Sequence, residues 1–341
     1  MRVIILGIIG SLLIAISTFA ADKKVIAHRG ASGYVAEHTI AAKAMAHAMD
    51  VDYIEQDVVM TKDDVLVVLH DHYLDRVTDV QEKFPNRARK DGRYYVIDFT
   101  FNEIKTLDVT ERYSINEAGE KVAVFPDRFP LNALSFKVHT LTEEIELIQG
   151  LNKSTGRDIG IYSEAKSPAF HLSEGKDLSH AMLSAFKKYG YDSKSAKAYY
   201  QTFEIEELKR VHKEVLPKIN MDIKLVQLMG AGEINPYEDM ITPEGIKMLS
   251  SYADGIGPSL FMITSTEDRG ETYELTDLVE LAHQNGLEVH PYTFRAESFA
   301  TPKFAGSYEG LLELFLYEIG VDGVFTDFPD ITVDYIKNRK Y

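Results

Sequence analysis

Residue types able to move protons and hold phosphate or metal recur in this chain at one kind of place, where an apolar, strand-like run gives out. His28-Arg29-Gly30 follows the run 24–27, Glu55-Gln56-Asp57 follows 52–54, and His70-Asp71 follows 65–69. Glu164-Ala165-Lys166 follows 159–162, and Gln201-Thr202-Phe203 follows 198–200. A buried parallel strand reads as a near-continuous apolar stretch, so a charge at its end lies at the rim of the sheet. Glu55 and Asp57 are two apart on a strand and leave the same face; Glu164 ends the next strand and can converge on them. Three hard oxygen donors with no cysteine suit Ca2+, with Mg2+ as the alternative, and leave positions open for catalysis. An isolated Glu-x-Asp is more often a solvated strand end, but convergence with Glu164 and two strand-end histidines reverses that reading. His28 and His70 titrate near neutral pH and can serve as general acid and base. Arg29 offers a fork for two phosphate oxygens, Lys166 a point charge, and Gly30 a close backbone turn beneath a ligand.

The elements that must position these groups are legible from periodicity. Strand-like runs begin near residues 24, 53, 159, 198, 223, 254, 288 and 323, with 65–69 as a hairpin return. Helical patterns fall at 37–49, 141–151, 177–189, 205–215, 243–252, 276–285 and 308–319, the last two stopped by Gly286 and Gly320. Alternation of this kind predicts an α/β fold, a (β/α)8 TIM barrel. The span 72–157 is far longer than a βα loop and is expected to form an insertion subdomain after the second barrel strand, gating the mouth. Gln201, Gln227, His290, Tyr292 and Asp327 stand at later strand ends, as pocket lining or rim packing. Phe203, Met229 and Phe294 are expected in the core, and His47, His139, His171, His180, His212 and His283 at the surface.

Composition narrows the partners. Of 341 residues, 53 are acidic and 37 basic, a net charge of −16 that disfavours nucleic acid and anionic lipid surfaces. A small phosphodiester needs only a local cluster of cations. With no cysteine there is neither a disulfide framework nor an N-terminal lipid-bearing thiol. Residues 1–20 carry Arg2, a long apolar stretch and then Thr18 and Ala20, the pattern of a signal peptide cut after Ala20. The chain left by that cut, with its barrel domain at 24–341, is accordingly expected in the periplasm or secreted, without stable membrane insertion; a homodimer is left open.

The run Ile26-Ala27-His28-Arg29-Gly30-Ala31, with Glu37-His38-Thr39, Glu55-Gln56-Asp57, Thr61-Lys62-Asp63 and Leu69-His70-Asp71, resembles the glycerophosphodiester phosphodiesterase family. Agreement continues through Asp91–Tyr95, Tyr252–Pro258, His290-Pro291-Tyr292-Thr293 and Phe325-Thr326-Asp327-Phe328-Pro329-Asp330, and is strongest with the exported, Ca2+-dependent bacterial branch. The resemblance implies a TIM barrel that cleaves glycerophosphodiesters, such as glycerophosphocholine and glycerophosphoethanolamine, to sn-glycerol 3-phosphate and an alcohol. It implies acid/base roles for His28 and His70, phosphate binding by Arg29, and metal ligation by Glu55, Asp57 and Glu164. Lys166 matches the basic residue of the family's Glu-x-Lys motif. His38 stands where many members have Asn, which leaves its role open. Residues 231–241 and 262–272 look less alike than the rest, so substrate preference is not carried over. Water and a glycerol hydroxyl both remain open as the attacking group. The rival readings are a related-barrel phospholipase acting on intact lipid and an exported surface binding protein.

Overall fold

The computed structural model describes residues 23–133, 135–230, 236–266 and 270–339; the expected signal segment 1–20 lies outside the described residues. Among the described residues no helix is long and apolar enough to cross a membrane. Eight parallel strands form the barrel: β1 Lys24–Ala27, β2 Tyr53–Met60, β3 Gly160–Ala165, β4 Ala198–Thr202, β5 Lys224–Met229, β6 Gly255–Pro258, β7 Glu288–Val289 and β8 Gly323–Thr326. They pair in the order β7-β6-β5-β4-β3-β2-β1-β8. Between β8 and β7 the ring closes through single backbone bonds, from Asp322 N to Val289 O at 3.0 Å and from Phe325 N to Pro291 O at 3.0 Å. The expected TIM barrel is therefore present, with its eight strands where the apolar runs predicted them.

Side-chain alternation along these strands builds two layers inside the ring. Ile26, Tyr53, Tyr162, Tyr199, Val226 and Phe325 form a compact apolar cluster. Tyr162 and Tyr199 stack with ring centroids 4.4 Å apart, and Phe325 meets Tyr162 edge-on at 4.9 Å. Gly160 makes room for this floor, because a Cβ there would come within 2.5 Å of the Tyr53 ring. Two residues further along the same strands stand His28, Glu55, Glu164, Gln201 and Asp327, so the polar layer lies directly above the aromatic one.

Eight helices cover the outside: α1 Ile40–Ala48, α2 Leu141–Thr155, α3 Leu178–Lys188, α4 Ile205–Arg210, α5 Pro243–Leu249, α6 Leu278–Gln284, α7 Tyr308–Glu313 and α8 Pro329–Asn338. α4 and α7 each run on into a wider turn, Val211–Val215 and Leu314–Ile319. α8 was not expected, although Pro329 at its first turn is a helix-start signal. α1 begins later than the predicted 37: Thr39 caps it, accepting from Ala42 N at 3.2 Å, and the left-handed φ of 55° at His38 turns Glu37 and His38 out of the helix. Gly30, at φ 90°, uses its freedom against α1, where a Cβ would lie 2.8 Å from the Ala42 carbonyl carbon, rather than beneath a ligand.

The long insertion has an apolar core of its own, including Leu74, Val77, Val96, Phe99, Ile104, Leu107 and Val138, joined to β2 through Val59 and to the hairpin strand Leu66–Val68 through Val67. α2 falls inside the span 72–157 yet packs Leu141, Ile145 and Ile148 into the barrel core, so it is a barrel helix that resumes after the insertion ends. Three histidines expected at the surface are buried instead: His47, His139 and His171. Each has an internal partner, Asn152 at 2.9 Å, Glu144 at 2.7 Å and the Met60 N–H at 3.2 Å. A histidine in a helix, as His47 and His171, or in a loop, as His139, is as easily satisfied inward as outward.

Candidate active site

A cavity of about 550 Å³ opens at the C-terminal ends of the strands, and His28, Arg29, Glu55, Asp57, His70, Glu164 and Lys166 all line it. The sequence scatters these residues over four separate segments. β1 delivers His28 and Arg29, β2 Glu55 and Asp57, the hairpin return His70, and β3 Glu164 and Lys166. Parallel pairing sets Asp57 opposite Glu164. The left-handed φ of 59° at Arg29 points its N–H at Glu55 Oε2, 2.6 Å away.

Each histidine is backed by a carboxylate. His28 Nδ1 lies 2.6 Å from Asp327 Oδ1 and His70 Nδ1 lies 2.6 Å from Asp71 Oδ1. With Nδ1 donating to the carboxylate, Nε2 of each ring is the free base. Lys166 Nζ donates toward His70 Nε2 at 3.4 Å. Burial, reinforced by Arg29, lowers the pKa of His28; burial, then Arg29 and Lys166, lowers that of His70 to about 4. Both rings are therefore neutral near pH 7 before any anion enters.

The carboxylates divide differently. Burial raises Glu55 well above the usual carboxylate range, with Asp57's charge adding to it, and burial also raises Glu164. Burial would raise Asp57 too, but Lys166, His70 and His38 override it and hold it well below that range. Glu164 Oε1 pairs with Lys166 Nζ at 2.8 Å. His38 Nε2 is 2.7 Å from Asp57 Oδ2, and its Nδ1 is buried without a partner. Burial pushes His38 down to about 3.

His38, Glu55 and Asp57 present ligand atoms all within 4.8 Å of one another, with Glu164 on the same cavity wall. Carboxylates crowded to the point that two of them resist ionisation are what a divalent cation relieves, and the donor set is hard. The site thus fits a metal ion. His38 was not assigned a role from sequence; its Glu-His-Thr setting was the available signal.

Among the later strand ends, Gln201 and Tyr292 line the cavity, and so does Phe203, expected in the core. Met229 and Phe294 are buried as expected. Gln227 donates to Phe203 O at 3.1 Å, and His290 Nδ1 meets Tyr162 OH at 3.1 Å inside the aromatic floor, so neither reaches the cavity. Three arginines that sequence periodicity gave no reason to single out, Arg112, Arg128 and Arg295, surround the histidines' carboxylates. Arg295 Nε donates to Asp327 Oδ2 at 2.8 Å.

Residues 28–331 match the Glycerophosphoryl diester phosphodiesterase family. A glycerophosphodiester phosphodiesterase of Haemophilus influenzae is 47% identical over 334 residues, covering 94% of this chain and 91% of that one. One of Treponema pallidum is 40% identical over 332 residues, covering 93% and 92%. A phosphodiesterase structure from Oleispira antarctica, in complex with the product sn-glycerol-3-phosphate, shares the fold with a TM-score of 0.61 at 22% identity, covering 92% of this chain and 97% of that one.

Proposed function

This chain belongs to the glycerophosphoryl diester phosphodiesterase family, and on that premise we propose that it hydrolyses small glycerophosphodiesters, among them glycerophosphocholine and glycerophosphoethanolamine, to sn-glycerol 3-phosphate and an alcohol. The observation that carries the reading is the meeting of two carboxylate-backed histidines, a guanidinium, an ammonium and a carboxylate cluster in one cavity.

Arg29 and Lys166 hold the phosphate oxygens and neutralise charge that grows in transfer. Asp327 and Asp71 fix His28 and His70 with Nε2 toward the cavity, so that one ring removes the proton of the attacking water or glycerol hydroxyl and the other protonates the departing alkoxide; in the second case water then opens the cyclic phosphate. The entering phosphate anion favours the protonated form of whichever ring acts as acid, countering the downward push of burial. Glu55, Asp57 and Glu164 are the proposed ligands of Ca2+, with Mg2+ as alternative, and His38 holds Asp57 from behind. The bound ion supplies polarisation of the phosphoryl group and an anchor for the glycerol moiety. The apolar, small-residue-terminated segment 1–20 supports action outside the cytoplasm.

The test is release of glycerol 3-phosphate from glycerophosphocholine by the purified chain, with chelator and after Ca2+ is restored, and with lysophosphatidylcholine as comparator. Chelator-sensitive turnover of glycerophosphocholine is expected. Turnover of the lipid alone would favour the phospholipase reading.

A further inference from the structure

The insertion does more than stand over the barrel mouth: two of its arginines reach the two carboxylates that back the histidines. Arg112 donates through Nη1 to Asp71 Oδ2 at 2.9 Å, and through Nη2 and Nε to Glu37 at 2.7 and 3.2 Å. Glu37 in turn accepts from Arg29 Nη1 at 2.9 Å. Arg128 donates through Nη2 to Asp327 Oδ2 at 2.7 Å and through Nε to Glu297 Oε1 at 2.6 Å. Asp71 holds His70 and Asp327 holds His28, so each active-site imidazole stands at the end of a chain of contacts that begins in the insertion.

The two arginines bracket one short stretch of chain. Between them lie the small antiparallel strands Tyr113–Ile115 and Lys121–Ala123, and the Val124 N–H returns to Arg112 O at 2.9 Å. Phe125 lies under the Arg128 guanidinium at 3.8 Å and stacks toward Phe299 of the barrel rim, centroids 6.5 Å apart. Both arginines are largely buried, at 17% and 5% side-chain exposure. A guanidinium that far from water is kept by its ion pairs, and its fork fixes the direction of the carboxylates it meets.

We propose that Arg112 and Arg128 are positioning residues for the reaction: a strap of the insertion, residues 112–128, orients Asp71 and Asp327 and through them presents the Nε2 atoms of His70 and His28 to one substrate. Arg112 also ties Asp71 to Glu37 and thereby to Arg29, so the histidine on the hairpin return and the phosphate fork on β1 are set together. Asp327 has a second cationic partner in Arg295, whereas Arg112 is the only arginine or lysine within ion-pairing distance of Asp71 among the described residues. Losing Arg112 therefore does more harm than losing Arg128.

The inference rests on the two-histidine reading above, and the experiment separates them. The full chain carrying Arg112→Ala, Arg112→Lys, Arg128→Ala or Arg128→Lys is assayed for kcat and KM on glycerophosphocholine beside His28→Ala and His70→Ala, with cooperative melting as the check of folding. Arg112→Ala should lower kcat roughly 10–100-fold, as loss of an orienting contact behind a working group does, with KM within about twofold. Arg128→Ala should fall less, and each lysine variant should lie between alanine and wild type, because an ammonium keeps the charge without the fork. In an Asp71→Asn background Arg112→Ala should lower kcat clearly less than it does in wild type, the remainder acting through Glu37. Arginine variants that keep wild-type kcat, that raise KM alone, or whose losses multiply with Asp71→Asn overturn the inference. If an alanine variant fails to melt cooperatively, the corresponding lysine variant decides: wild-type kcat there is equally fatal. Active histidine variants would instead overturn the two-histidine reading itself.

Discussion

His28 can be read from the sequence because a buried parallel strand shows its end, and His70 because the antiparallel hairpin strand Leu66–Val68 returns to the same rim. Arg29 and Lys166 likewise follow strand ends, whereas Glu55, Asp57 and Glu164, expected where a strand gives out, lie within β2 and β3, which run on past them; all five line the cavity. His28→Ala and His70→Ala should each cost at least about 10²-fold in kcat while Ca2+ binding persists, since general acid–base groups contribute on that scale. The double variant should be scarcely worse than either single one, because the pair acts as a unit. Glu55→Gln should abolish the single Ca2+ site seen by calorimetric titration of chelator-treated protein; unchanged Ca2+ binding would remove Glu55 from the ligand set. Arg112 and Arg128 were illegible for a physical reason: they lie in an insertion without strand or helix period, and their partners are set by tertiary packing alone. His38 and Asp71 were visible as letters beside the motif, but their roles depend on backbone turns that the letters do not fix.

At the scale of elements, strand positions were legible and helix beginnings less so. Apolar runs mark buried strands directly, whereas the start of α1 depends on Thr39 and on the left-handed turn at His38. That placement has an energetic counterpart. Lys43 on α1 is fully buried, donates to the Glu55 carbonyl and pairs with Glu144 of α2 at 3.0 Å. Burial alone would raise Glu144, but Lys43 and His139 bring it down to about 2. Its folded value lies below the ordinary one of about 4.3, so ionised Glu144 stabilises the fold above that value, and the contribution fades as pH falls toward 2. Glu144→Gln should therefore cost roughly 3–5 kcal/mol at pH 7, the range for breaking a buried pair, and less at pH 3. Urea midpoints of the two proteins at both pH values check the direction. The buried histidines His47 and His171 were misplaced because helical spacing reports a face but not what covers it, and His139 because a loop position shows no face at all.

For the molecule as a whole, alternation of strands and helices made the barrel legible, and the long span between the hairpin return and β3 made an insertion legible, but not where it ends. Filling the metal site should stabilise the entire fold, since the ligands come from at least two strands of one cooperative ring. At a free Ca2+ concentration 100 times its dissociation constant the gain is about 2.7 kcal/mol, read as a rise in melting temperature that chelator and Glu55→Gln both cancel. The stacked tyrosines beneath the polar layer have a further consequence for traffic. They floor the cavity from below, so its doorway is the expected route for reactant and products, and the exposed Phe261 and Phe299 line it at 44% and 64% exposure. If Arg29 and Lys166 grip the phosphate as proposed, departure should be ordered, the alcohol first and glycerol 3-phosphate last. Added glycerol 3-phosphate should then compete with substrate for the empty enzyme, while added choline, which has to find a phosphate-filled site, should inhibit only weakly and noncompetitively. Steady-state inhibition patterns distinguish this order from its reverse.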